Sequence, residues 1–116
     1  MTRSNLYITL SNGKKIKCVA DSSSAPEQGY IVEKVIFPLL RYNDAAIETL
    51  HLEEHCTMHE LRANATYRYT INLIKKEVRL FEERFNYNKE VFRLGKEITQ
   101  RYDNYLAQLQ NKLNNQ

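Results

Sequence analysis

The sequence predicts a single α+β domain over residues 1–116: an antiparallel sheet with helices packed on one face, in the order ββαβββα. Three observations carry this expectation. The stretches 6–20 and 66–85 alternate apolar and polar residues on either side of a short polar interruption, as two β-hairpins with one buried face do. The stretches after Pro26 and after Asn88 repeat apolar residues at steps of three and four, as helices do. Finally, 42% of the 116 residues are hydrophobic, enough to bury a core without disulfide or metal staples.

Leu6 to Leu10 alternates, and so does Ile16 to Ala20, with Ser11-Asn12-Gly13 between them. A two-residue Asn-Gly turn would set Leu10 against Lys15 and Ile8 against Lys17. A three-residue loop with Gly13 in the left-handed conformation instead pairs Ile8 with Ile16 and Leu6 with Cys18. Lys15 and Lys17 then share the opposite face with Tyr7 and Thr9.

Ser24 and Glu27 have capping-box spacing, and Pro26 suits a first helical turn. A helix is therefore expected over about residues 27–37. Ile31, Val35 and Leu39, flanked by Val32, Ile36 and Leu40, give it a broad apolar stripe. Gly29 costs about 1 kcal/mol inside a helix. Pro38 disfavours helical geometry at Phe37, so the helix should end or kink there.

Residues 45–62 can be read two ways. As a strand, Leu50 and Leu52 share a face with Glu48 and Glu54. As a helix, Ile47, Leu50, Met58 and Leu61 line up, and Ala, Leu and Glu favour that state. The hairpins otherwise lack a connecting edge, so a strand is assigned to about 46–54.

In the second hairpin, Lys75-Lys76 as a two-residue loop sets Leu73 against Val78, Ile71 against Leu80, Tyr69 against Glu82 and Tyr67 against Arg84. Arg68 and Glu83 meet on the other face. Such pairs contribute roughly 0.2–1 kcal/mol each. Lys-Lys lacks the Gly or Asn that this turn prefers, which leaves a longer loop open.

Asn88 is expected to cap a C-terminal helix over about 89–113, seamed by Val91, Leu94, Ile98, Tyr102, Tyr105, Leu109 and Leu113. Gly95 is its one blemish. The helix would be about 38 Å long, whereas strands of seven to nine residues span about 23–31 Å. Its last turns would overhang the sheet. Tyr102, Tyr105, Leu109 and Leu113 are therefore the expected partner-binding residues, meeting another protein's helix or a second copy as a homodimer.

The net charge of +3 is unevenly spread. Residues 1–20 carry Arg3, Lys14, Lys15 and Lys17 without an acid, whereas residues 21–65 carry eight acids against Lys34, Arg41 and Arg62. Such blocks suit a protein with one basic and one acidic surface. Two cysteines, Cys18 and Cys56, are too few for a disulfide framework and read as reduced thiols in the cytoplasm. No apolar run suggests a secretory signal or approaches the roughly 20 residues of a membrane span, so no membrane partner is expected.

Three functional readings follow. The first is a non-enzymatic protein-interaction or structural module that associates through its C-terminal amphipathic helix. The second is an electrostatic nucleic-acid binder using Lys14, Lys15, Lys17, Lys75 and Lys76. Tyr67-Arg68-Tyr69 interleaves aromatics with a base, but Tyr67 and Tyr69 share the face of Ile71 and Leu73, and the glycine–aromatic pattern of an RNA-recognition motif is absent. The third is a zinc hydrolase. His51-Leu-Glu-Glu-His55 fits the H-x-x-E-H pattern, in which His51 and His55 would hold the metal with Glu54 as base. A third ligand is not marked out, and His59 would lie about 12 Å from His51 along a helix axis. The first reading asks least of unmarked residues. No cofactor, metal or catalytic residue is assigned.

Overall fold

The computed structural model describes residues 2–114. Six strands form one sheet: β1 (Ser4–Thr9), β2 (Lys15–Ala20), β3 (Thr57–Met58), β4 (Tyr67–Asn72), β5 (Glu77–Asn86) and β6 (Val91–Glu97), in the order β3-β2-β1-β4-β5-β6. Helices α1 (Phe37–Tyr42), α2 (Ala45–His55) and α3 (Thr99–Asn114) accompany it. The α+β class is as expected. The sheet is mixed rather than purely antiparallel, because β1 and β4 run parallel, from Ser4 opposite Tyr67 to Thr9 opposite Asn72. The two hairpins meet along their first strands.

The first hairpin has the predicted register, with Ile8 opposite Ile16 and Leu6 opposite Cys18, and Gly13 at φ +87°. The second keeps the predicted faces but not the predicted pairs. Tyr67 opposes Glu82, Tyr69 opposes Leu80 and Ile71 opposes Val78. The slip is two residues, so no side chain changes face. The longer loop is the reason: the Asn72 side-chain oxygen accepts from the Ile74 and Lys75 N–H groups, each at 3.0 Å. That local turn replaces the tight Lys-Lys turn. Leu73 lies in the loop yet is buried, and its N–H donates to the Thr9 carbonyl at 2.8 Å.

The helix expected over 27–37 starts later and continues further. Residues Pro26–Gln28 form one short 3-10 turn, and Gly29 at φ +85° separates it from the helix. Ser24 is not the cap. It is buried, accepts from the Ser4 hydroxyl at 2.8 Å and donates to the Thr2 carbonyl at 3.0 Å. Residues Ile31–Ile36 are wound as a π-helix, in which Phe37 N–H reaches back five residues to Val32. The change to the four-residue α step falls at Pro38 in the first turn of α1, a residue with no N–H to leave unpaired. The chain therefore passes Pro38 without stopping. The predicted stripe is the core: Ile31, Val32, Val35, Ile36 and Leu39 have no solvent exposure. Burying each contributes about 1.5–3 kcal/mol.

Residues 46–54 are helix, not strand. The Asp44 carboxylate caps α2 by accepting from Ala46 N–H at 2.9 Å and Ile47 N–H at 3.2 Å. The apolar pattern misleads because α2 buries Glu48, His51 and Leu52 while exposing Ile47 and Leu50. The edge that a strand at 46–54 would have supplied is instead β3, paired to β2.

The long C-terminal helix is also corrected. Its first third is β6, and α3 is sixteen residues long. The Asn86 side chain accepts from Asn88 N–H at 3.0 Å and Lys89 N–H at 3.1 Å, making a turn where a cap was expected. The ladder between β5 and β6 is irregular between Phe81 and Glu83. There a Cβ on Gly95 would stand 2.4 Å from the Glu82 carbonyl oxygen. Gly95 permits that close approach, so it belongs to the strand. Beyond Glu82, β5 pairs only with β6, and the two form an arm past the end of β4.

Candidate functional site

The parallel pairing of β1 with β4 sets both hairpin turns at one end of the sheet. Ile74 of the second turn reaches within 4.0 Å of the position a Gly13 Cβ would occupy. Lys14, Lys15, Lys75 and Lys76, far apart in sequence, thus share one end, and Lys17 follows along the face that carries no helix. All five are exposed. Among the described residues, ion pairs are made by Arg3, Arg62, Arg68, Arg79, Arg84 and Arg101, and none of these lysines takes part. Lys76 does donate to the Asn43 side-chain oxygen.

The helix-free face is partly covered. To pass from β3 to β4 the chain must cross β2 and β1, and Asn5 fixes where it crosses. Its side chain accepts from Arg62 N–H at 2.8 Å and donates to the Arg62 carbonyl at 3.1 Å. Val19 and Ala65 are buried at that end. Nearer the turns, Tyr7, Thr9 and Thr70 stay open and form the floor of a groove of about 740 Å³. His59, Glu60 and Leu61 of the crossing line it, together with Lys15, Lys17 and Phe92 of the arm. The irregularity in the β5–β6 ladder lies on β6, where Gly95 and Lys96 together oppose Glu82.

Electrostatically, most charge here is already matched. Arg68 holds the Glu83 carboxylate with bonds of 2.8–3.2 Å and lies 4.4 Å from the centre of the Tyr7 ring. The Lys17 ammonium stands 5.5 Å from the same ring. Burial raises the Tyr7 hydroxyl pKa, opposed by Arg68. Arg79 is held by Glu97 at 2.7 and 3.1 Å. Among the described residues the five lysines make no ion pair, and neither do Lys89, Arg93 and Lys96 in and beside β6.

The predicted helix-seam residues are dispersed. Tyr102 is in the core at 4% exposure, and Tyr105 is half-buried with its hydroxyl donating to Glu33 at 2.8 Å. Leu109 is half-buried and Leu113 is 65% exposed. The overhang argument falls with the shortened helix; of the predicted seam, Leu113 at the end of α3 and Val91 and Leu94 on β6 are exposed.

The helix over 45–55 does bring His51 and His55 together, with ring centroids 4.6 Å apart. Both nitrogens of His51 are engaged: Nε2–H donates to the Val35 carbonyl at 3.2 Å, and Nδ1 accepts from the Tyr42 hydroxyl at 3.4 Å. His55 Nδ1 shares a hydrogen bond with the Tyr30 hydroxyl at 2.6 Å. Burial, helped by the neighbouring His55, lowers the His51 pKa. His59 lies apart on the crossing, where its N–H donates to the Lys17 carbonyl at 2.8 Å. Among the described residues no group of three or more His, Cys, Asp and Glu side chains converges as a metal site would require. Cys18 is buried, and Cys56 is half-buried. A hydrogen bond with Cys56, together with burial, raises the Cys18 thiol pKa.

Sequence reasoning missed Phe92, which it put on a helix, and the adjacency of the two lysine turns. The signal for Phe92 was present: Phe85 and Phe92 flank Asn86–Val91 symmetrically and pair across the strands, with their rings 4.7 Å apart. Compared with known proteins, the chain matches no family model, no curated protein and no solved structure. Among the described residues no helix is long and apolar enough to cross a membrane.

Proposed function

We propose that this protein is a non-enzymatic binding module that holds a nucleic acid against the turn end and helix-free face of its sheet. The observation that supports this reading is the convergence of Lys14, Lys15, Lys17, Lys75 and Lys76 without a carboxylate partner on any of them. Exposed lysines gathered on one surface attract phosphates and displace condensed counterions, which makes affinity steeply dependent on salt. The two thiols suit a cytoplasmic protein.

The test is fluorescence anisotropy with labelled oligonucleotides between about 50 and 200 mM salt. Binding should weaken as salt rises, and the Lys75→Glu/Lys76→Glu variant should bind more weakly with a shallower salt slope. Absence of binding at the lowest salt, or a slope unchanged in the variant, overturns the reading.

The first sequence reading, association through α3, keeps one supporting observation: the exposed Leu113 with Leu109 one turn before it. Truncation at Asp103 is a poor test, since it also strips Tyr105 and Leu106 from the core they pack against. Leu109→Ser/Leu113→Ser leaves those in place. A solution mass equal to the monomer before and after that change removes the helix-association reading.

A further inference from the structure

We infer that the groove beside the lysine turns selects unpaired nucleic acid, seating a base against Phe92 while Lys15 and Lys17 hold the phosphates on either side. This rests on the nucleic-acid reading above and adds the state of the strand.

A surface that only neutralised phosphates would need nothing apolar. This groove combines Lys15 and Lys17 with Phe92, Leu61 and Tyr7. An aromatic face beside cations is what an unpaired base requires, because every base has a face to stack and a phosphate next to it. The two aromatic rings differ in what they have left to offer. Tyr7 already has the Arg68 guanidinium over it at 4.4 Å and the Lys17 ammonium at 5.5 Å. Phe92 touches Phe85 in a T-shaped arrangement, with ring planes at 66°, which does not occupy both faces in stacking. Phe92 is therefore the platform, and Tyr7 and Thr70 are the floor.

The walls decide between single strand and duplex. The crossing at 59–61 lines the groove beside β2, and Phe92 lines it from β6, at the other edge of the strand order. A duplex keeps its bases stacked and turned inward, so it can offer only its backbone to such a groove. A single strand can rotate a base into it. The carboxylate nearest the path, Glu60, is paired with Arg62 and repels phosphates less than a free one would. The Thr9 and Thr70 hydroxyls can each donate and accept, so they suit any base edge. Recognition is accordingly tolerant of sequence.

The chain contains no tryptophan, so Phe92→Trp places a single reporter in the groove. The ligands are an oligothymidylate of about 20 nucleotides, matching the modest site sizes of single-strand binders, and a mixed-sequence duplex of the same length. Stacking should quench the indole with the single strand and leave it unchanged with the duplex. Phe92→Ala should weaken single-strand binding by roughly five- to hundredfold, leaving duplex affinity and the salt slope as they were. Equal affinity for both ligands, or an unquenched indole with the single strand bound, overturns the inference while the electrostatic reading stands. No binding of either ligand overturns both.

Discussion

Arg68 closes on Glu83 from two guanidinium nitrogens at 2.8 and 3.2 Å, although the Glu83 side chain has no solvent exposure. This carboxylate also accepts from the Asn5 side chain at 2.8 Å and from Arg84 N–H at 3.2 Å. A buried carboxylate that loses its cation keeps its desolvation penalty. Arg68→Ala should therefore destabilise the protein by about 3–5 kcal/mol. Removing both charges, as Arg68→Met/Glu83→Leu, should cost less than Arg68→Ala alone. Urea denaturation with an unchanged m-value measures both.

Glu48 offers a second buried carboxylate, wholly inside on a helix whose Ile47 and Leu50 face out. Its partner is Ser11 in the first hairpin turn, which donates its N–H at 3.0 Å and its hydroxyl as well. Ser11→Ala removes one bond to a charged group and should cost about 1.5–3 kcal/mol. A thermal-unfolding midpoint equal to the parent's would show that α2 does not depend on this tie.

The depressed His51 pKa sets a pH window. Burial keeps the folded imidazole neutral, so the unfolded chain binds the extra proton first. The stability this arrangement contributes is complete above the ordinary value of 6.5 and declines as pH falls below it toward the lowered folded value. Glu27 and Glu97, lowered by Arg101 and Arg79 respectively, lose their contribution only further down, from 4.5. His51→Gln should flatten stability between about pH 7 and pH 5 and leave the acid limb intact. Denaturation midpoints across that range decide it.

Gly95 packs against the Glu82 backbone with no room for a Cβ. Gly95→Ala should force the β5–β6 ladder apart, costing about 1–3 kcal/mol. Amide exchange localises the effect. Faster exchange confined to the arm is expected; an unchanged arm would mean the bulge can relax.

The legible part of this fold was the part governed by local alternation and by turn chemistry. Gly13 fixed one register through its left-handed backbone, and the Ile31-to-Leu39 stripe marked the core helix despite Pro38. The second register slipped because Asn72, just ahead of the lysines, makes its own turn. Residues 45–55 were hidden because their core-facing side chains are Glu48 and His51, each satisfied by a residue distant in sequence. The strand at 91–97 was hidden because Val91 and Leu94 fall on a helical spacing that continues truly only from Ile98 onward. Of the candidate site, the lysines could be named singly. That they stand together depends on which strands are neighbours, and nothing local in the chain encodes that.

The parallel seam between β1 and β4 also bears on how the molecule assembles. Each hairpin closes over a short stretch of chain, but the ribbons come from opposite halves of the protein and touch along one ladder. Loop-closure entropy opposes that encounter most, so pairing of β1 with β4 is expected to be the slow event of folding. A protease cut near the exposed Asn64 leaves both docking edges whole, and the two fragments retain the surfaces by which they recombine.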